Sequence, residues 1–549
     1  MHDNCINYPK DMDMIKNAAV PAMLPFVLLL FICCKQQPVF SQKMKVYDLV
    51  KDFNAVPDDK TDNYQAFAKA AETLSRAGGG QLNIPEGKYY IAAYKAKDRD
   101  KILQVTDITF ANCKNLTITG NNSTIRVNGK FTRTKDYQLQ GLSYHYSYNN
   151  TVCPFKFTNC KNVLLKDVTL YGEVDKMKKE NGVVEGQSYG IAINDAAGTD
   201  ESSHIVLQNI TAHHFAADGF LIQSNGKDIV MDSCRSYNNA RQGLSIVKGK
   251  QIKIFNSVFD STANTGAYGW HAPGAGIDIE NEFGPGKLSD VVIKNCTFRH
   301  NKGFQIVTTM ASDRVLIDSC FIEDLSSGYA DALNGIGMYS LNSTLSNCIL
   351  FASIQVDLSD QIYRGTAVQE IKNNIIYSGN RGIVSADFAR PVNITGNILV
   401  MLPNPKLDTY FPYIQNHNAV FNDNIIVVHA DRVKKDPNQV TALMQNCKEA
   451  KNNFWLVNGY DMPVDKQKDY FFMPAVNNVK NIGNQFFMDR AVVARSSFKE
   501  KKIITVAQVN KILSYKLFTA YKQSAYNKNY MAEASAVCKY TGQIAAAAK

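Results

Sequence analysis

Asp278 and Glu280 stand two residues apart in Gly276-Ile-Asp-Ile-Glu280. In an extended strand, residues i and i+2 share a face, with Cα atoms roughly 6.5–7 Å apart. Two carboxylates at that spacing suit general acid–base work or the ligation of a hard cation such as Ca²⁺. Just upstream, the stretch from Ser261 to Ala275 holds Tyr268, Trp270 and His271, and Trp270 is one of only two tryptophans in the chain. An aromatic ring beside carboxylates makes a platform for a sugar. Asp218, Arg241, Gln242, Lys302 and Gln305 occupy comparable places in neighbouring segments, and His213 and His214 close the run before Asp218. The candidate catalytic set is therefore Asp278, Glu280, Lys302, Asp218, Arg241 and His271. The candidate binding set is Trp270, Tyr268, Gln242, Gln305 and His214. Asp278, Glu280 and Asp218 are the candidate Ca²⁺ ligands, and no other cofactor is expected.

A repeat positions these residues. Short apolar runs end in small or polar pairs: Met231-Asp-Ser-Cys234, Ile254-Phe-Asn-Ser257, Ile293-Lys-Asn-Cys296, Ile317-Asp-Ser-Cys320, Leu345-Ser-Asn-Cys348, Ile371-Lys-Asn-Asn374, Ile394-Thr-Gly-Asn397 and Phe421-Asn-Asp-Asn424. Their last residues are spaced 23, 39, 24, 28, 26, 23 and 27 apart. A second ladder precedes them, including Gly219-Phe-Leu-Ile, Gly243-Leu-Ser-Ile, Gly276-Ile-Asp-Ile, Gly303-Phe-Gln-Ile and Gly335-Ile-Gly-Met. Its period of two marks strands with one buried face, so Gly+1 and Gly+3 point inward and Gly+2 and Gly+4 outward. The pattern predicts an all-β chain folded as a right-handed parallel β-helix of about ten or more coils, because each coil must stack on its neighbours to bury its apolar face. Stacking predicts an inward ladder of Cys234, Cys296, Cys320 and Cys348, followed by an asparagine ladder whose amides bond along the stack. The coil holding Asp278 is the 39-residue one, and its insertion is Ser261 to Ala275.

The coil ends need caps. Asp62 or Thr61 can cap a helix with Phe67, Ala71 and Leu74 on its apolar face, and Gly78-Gly-Gly80 ends it. The segment Val46-Tyr-Asp, then Asp52-Phe-Asn-Ala-Val-Pro-Asp-Asp-Lys-Thr-Asp-Asn63, then Gly78-Gly-Gly-Gln-Leu-Asn-Ile-Pro-Glu-Gly87 resembles the opening of the pectate-lyase superfamily of secreted β-helix proteins, in particular its rhamnogalacturonase-like and epimerase-like members. That resemblance implies the fold and a polysaccharide substrate. It does not name a reaction, since the group includes lyases, hydrolases, epimerases and binding proteins. The chain departs from the polygalacturonase pattern: Asn-Thr-Asp, Gly-His-Gly and Arg-Ile-Lys are missing, as is an Asp-Asp pair beside the ladder. No vicinal arginine pattern favours pectate lyase decisively.

The expected organisation is a cleaved signal over 1–41, an N-terminal cap over 42–95, coils over 96–435, and a C-terminal cap with a basic tail over 436–549. Leu24 to Cys34 is an apolar run too short to span a bilayer, Lys16 supplies its positive flank, and Met14 is an alternative start. Export to the periplasm or the outside is the reading; a lipid anchor at Cys33 is disfavoured by the bulky Ile32 before it. Nine of the twelve cysteines follow Ser41, with no CxxC pair, which argues against a zinc module. The net charge of +10 suits an acidic polymer as partner. A monomer without a transmembrane span and without nucleic acid is expected. The preferred function is a lyase that cleaves an acidic polysaccharide by β-elimination, with Arg241 or Lys302 acting on a uronate. A hydrolase using a carboxylate pair is the alternative, and a non-catalytic glycan-binding β-helix is the third reading.

Overall fold

The computed structural model describes residues 44–92, 97–99, 103–127, 137–138, 145–146, 151–176, 188–195, 201–309, 311–324, 335–356, 367–378, 381–385, 391–401, 412–414, 416–429, 442–444, 447–458, 474–475, 480–482 and 485–488. The signal segment and the basic stretch from Val506 to Tyr530 lie outside the described residues. No described helix is long and apolar enough to cross a membrane.

The described residues, all from Met44 onward, belong to one unit. It is a right-handed parallel β-helix whose coils contribute strands to three parallel ladders. The first ladder runs from Val46–Asp48 to Lys480–Ile482, and the second from Asp58–Asp62 to Gln485–Met488. The third runs from Leu103–Ala111 to Pro474–Ala475 and contains Ile277–Glu280. Register on the third ladder stacks Phe155, Ile191, Phe220, Leu244, Ile277, Ile306, Ile336, Ile354 and Ile383 in one inward column. All nine are buried. This column is what the hydrophobic effect drives, at about 25 cal/mol per Å² of apolar surface removed from water.

The polar pairs of the repeat are corners. The chain bends from the first ladder into the second through one left-handed residue per coil: Asn209, Ser233, Asn256, Asn295, Ser319, Asn347, Asn373, Gly396, Asp423 and Asn452 all have φ between 50° and 67°. Asn, Asp, Ser and Gly tolerate that region, and a branched residue does not. The following residue points into the core, which is why Cys234, Cys296, Cys320 and Cys348 are buried free thiols. Each asparagine of the later ladder caps its predecessor. Asn397 Oδ1 accepts from the Asn374 backbone N–H at 3.0 Å and from Asn374 Nδ2 at 3.0 Å. Asn424 repeats this on Asn397, and Asn453 on Asn424.

Two expectations change. The helix spans Tyr64–Ala77 and ends at left-handed Gly78; its cap residue is Asn63 rather than Asp62 or Thr61, although Asp62 accepts from the Tyr64 N–H at 3.0 Å. The coils do not stop near 435. Asn453 continues the asparagine ladder, Trp455 is buried in the same core, and strand pairing runs on to Gln485–Met488. The corner Asn452-Asn453 carried the signal for this.

Replacing Asn397 by Leu should strand the Asn374 N–H inside the core and cost about 1–3 kcal/mol. Asn397→Ser should lose less, since Ser257 Oγ already caps the Cys234 N–H in the same way, at 3.1 Å. Urea unfolding midpoints check the order.

Candidate active site

Asp278 projects outward because Ile277 and Ile279 point inward, yet its surface is closed: the residue is only 5% exposed. The expectation that both carboxylates meet solvent therefore holds for Glu280, which is half-buried, and fails for Asp278. A side-chain relay covers it. Asp218 Oδ1 accepts from the Gln242 N–H at 3.1 Å, and Gln242 Oε1 accepts from the Ala275 N–H at 2.8 Å. Gln242 Nε2 then donates to Asp278 Oδ2 at 2.9 Å. Gln242, expected as a substrate contact, is thus a buried clamp between two coils and the carboxylate. Asp278 Oδ1 is buried with no hydrogen-bond partner among the described residues.

Arg241 does not face a substrate carboxylate directly. Its guanidinium binds Asp218 through both oxygens, at 2.8 and 2.6 Å, and Asp218 is fully buried. That geometry engages the carboxylate expected as a third cation ligand. Among the described residues no group of three or more His, Cys, Asp or Glu is arranged to hold a metal.

The electrostatics follow from burial. Desolvation first, and then the Glu280 carboxylate, push Asp278 up to about 8; Asp218 and Glu282 add to the rise and Arg241 opposes it. Glu282, which reaches solvent at the strand exit, is also raised, by desolvation and then by Glu280. Its N–H donates to the Glu280 carbonyl at 3.0 Å, so the two side chains leave from one turn. Glu282 was missed by sequence reasoning, which stopped at the strand end. Asp278, Glu280 and Glu282 lie close enough to interact, and burial with the Glu280 charge favours the proton on Asp278.

The insertion is pinned rather than loose. Ala263 N–H binds the Asn239 carbonyl at 2.6 Å, His271 N–H the Ala240 carbonyl at 2.9 Å, and Thr262 N–H the Asn301 side chain at 3.0 Å. Its residues divide. Tyr268 packs in a small buried cluster with Val174, Ala216 and Ala240, and His271 is buried beside it with ring centroids 6.2 Å apart. Neither presents a ring to the surface, because the loop needs an apolar anchor of its own. Trp270 is the exposed one, and Lys302 Nζ lies over its ring, 4.5 Å from the centroid.

Two further expectations are corrected. Gln305 is fully buried, holding Asn301 through 2.8 and 3.1 Å hydrogen bonds. Ile277 stacks on Ile306, so Gln305 takes the place of a ladder glycine and Val307, not Gln305, stacks on Asp278. Gly303 serves another contact: a Cβ there would collide with the Pro273 carbonyl of the insertion. His214 belongs to a different corner. His213 is sandwiched between Tyr171 and Tyr237, with centroids 4.9 and 4.6 Å away, and its Nδ1 lies 2.7 Å from His214 Nδ1. Burial and then His214 hold His213 down at about 3. The charges that reach this pair are those of Asp175 and Arg235, and neither acts on Asp278.

Comparisons with known proteins add likeness of fold. No family model and no curated protein matches the chain. Among solved structures, the A-module of an Azotobacter vinelandii mannuronan C-5 epimerase, AlgE4, is similar at 12% identity, covering 84% of this chain and 100% of that one with a TM-score of 0.41. Pectate lyase Pel9A is similar at 11% identity, over 64% of this chain and 73% of its own, with a TM-score of 0.36. A tailspike protein of E. coli bacteriophage HK620, solved with a pentasaccharide, is similar at 13% identity, over 83% and 78%, with a TM-score of 0.42. Likenesses this distant assign no reaction to the chain.

The Asp278 environment has a consequence for stability. Below about pH 4 the carboxyl is protonated folded and unfolded alike. Between there and about 8 only the folded state keeps the proton, so stability falls as pH rises through that window. Asp278→Asn should abolish this slope and raise the melting temperature above wild type at neutral and alkaline pH, with no gain at about pH 4. Parallel melting curves across that range would contradict it.

Proposed function

We propose that this chain is a polysaccharide-active enzyme whose reaction is run by Asp278, Glu280 and Glu282. The observation that carries the reading is a buried carboxyl, pushed up to about 8 by desolvation and then by Glu280, beside two acids at the solvent edge of the same coil. A general acid works best when its pKa lies near the operating pH. In glycoside hydrolysis, Glu282, raised by desolvation and then by Glu280 and open to solvent, donates to the leaving oxygen, and the proton kept on the closed Asp278 is the reserve that reloads it. A second carboxylate activates water or attacks the sugar carbon. The exposed Trp270 supports a sugar ring beside this set. The export segment read at Leu24–Cys34 and the net charge of +10 agree with an extracellular, acidic glycan as substrate.

β-Elimination is the second reading, and one observation favours it. Lys302 and Lys248 stand at opposite ends of the strand, each over an exposed aromatic ring. An amine there can neutralise a uronate carboxylate and so acidify the adjacent C–H. Arg241 is less suited to that task, being bound to Asp218.

The purified chain would be incubated with acidic and neutral polysaccharides, reading reducing ends together with ultraviolet absorbance of unsaturated uronate. Reducing ends without absorbance are expected for hydrolysis, and both signals together for elimination. Glu280→Gln and Glu282→Gln should each lower kcat about 100-fold or more. The basic limb of the rate profile should fall near pH 8, about where Asp278 loses its proton. Full activity in both variants would remove these residues from the reaction.

A further inference from the structure

Five large hydrophobic side chains are exposed among the described residues: Met44, Val46, Val56, Trp270 and Phe283. The first three belong to the N-terminal cap. The other two flank the strand Ile277–Glu280, one in the loop that enters it and one in the loop that leaves it. Each carries a lysine on its face. Lys302 Nζ lies 4.5 Å from the Trp270 centroid, and Lys248 Nζ lies 5.0 Å from the Phe283 centroid. Two exposed aromatics, both at the acidic strand and both covered by an amine, are one device used twice.

The device is held in place. Gly303 allows the Lys302 segment to sit against Pro273, and its N–H donates to the Gly274 carbonyl at 2.9 Å. Trp270 packs on Gly274, where a Cβ would lie 3.2 Å from the indole. At the other end, Asn225 binds Lys248 Nζ, and Asn281 Oδ1 accepts from the Phe283 N–H at 3.3 Å.

We propose that Lys302 is a charge gate on the Trp270 platform that admits anionic sugars and rejects neutral ones. A sugar stacks on an aromatic face, and the ammonium occupies that face. A neutral sugar must displace the ammonium and forfeit the cation–π attraction. A sugar with a carboxylate or sulfate draws the ammonium aside into an ion pair, and the freed ring takes the sugar face. Selectivity thus comes from a penalty on the wrong ligand as well as from attraction to the right one. Lys248 over Phe283 repeats the arrangement, so the ligand bears negative charge on both sides of the acidic strand. The gate rests on the reading of this site as a polysaccharide site.

Trp270 reports on its own gate, since the other tryptophan, Trp455, is buried. The full chain would be titrated with oligomers of galacturonate, mannuronate, guluronate and glucuronate, and with the same oligomers after reduction of their carboxyl groups to alcohols. Tryptophan fluorescence gives the affinity of each. An acidic oligomer should shift the emission and bind more tightly than its reduced form. Lys302→Met keeps the stem and removes the charge; it should shrink that preference about 3- to 30-fold, in part by tightening the reduced oligomer. Lys114→Met, at an exposed position of the strand Lys114–Val127, makes the same change in net charge and should leave the ratio alone. Trp270→Ala should silence the signal. Equal binding of acidic and reduced oligomers, or a ratio untouched by Lys302→Met, overturns the gate. Cleavage of a polysaccharide without any response at Trp270 overturns the gate and leaves the enzyme reading standing. Neither binding nor cleavage with any substrate overturns both.

Discussion

The structure depends on one backbone constraint: every coil must turn the same corner through a left-handed residue and land in register on the coil before. Asn, Asp, Ser or Gly meets the conformational demand. The small inward residue that follows meets the packing demand, and in the later coils its amide also satisfies the backbone of its neighbour. A slip of one residue would turn Ile277 and Ile279 outward and bury Asp278 in hydrocarbon. The apolar column forbids that slip. The position of the acidic strand on the outer face is therefore a consequence of core packing, not of any contact made by the acids.

Given that position, the chemistry is set by what surrounds Asp278. Gln242 uses one amide to hold both the insertion, through Ala275, and the carboxyl, through Oδ2. Arg241 is committed to Asp218, so it offsets only part of the negative charge that Glu280 and Glu282 impose. Burial and repulsion act together to keep a proton on Asp278. A carboxyl that stays neutral at working pH can donate a proton, which an ordinary surface aspartate cannot do.

The fold was legible because its signals are repeated. One left-handed corner proves nothing, but Ser233, Asn256, Asn295, Ser319, Asn347 and Asn373 at coil spacing leave little choice. The outward direction of Asp278 and Glu280 was legible for the same reason. Burial was not, since covering groups such as Gln242 come from a neighbouring coil and leave no periodic trace. Gln305 was misplaced because Gly303 looks like a ladder glycine, while its lack of a side chain serves the Pro273 contact. Tyr268 and Trp270, two residues apart in one loop, could not be told apart by type; only the three-dimensional path shows which anchors and which is displayed. Glu282 and Phe283 lie past the strand, where the alternation that guided the reading ends.

The central claim is that Asp278 holds a proton at neutral pH. It is tested most directly by isotope-edited infrared difference spectroscopy, with carboxyl-labelled aspartate in wild type and in Asp278→Asn. A carboxylic-acid C=O band present only in wild type, and converting to carboxylate at about pH 8, is the predicted result. Conversion at about pH 4, where free aspartates titrate, would contradict the account and leave the acidic strand without its acid.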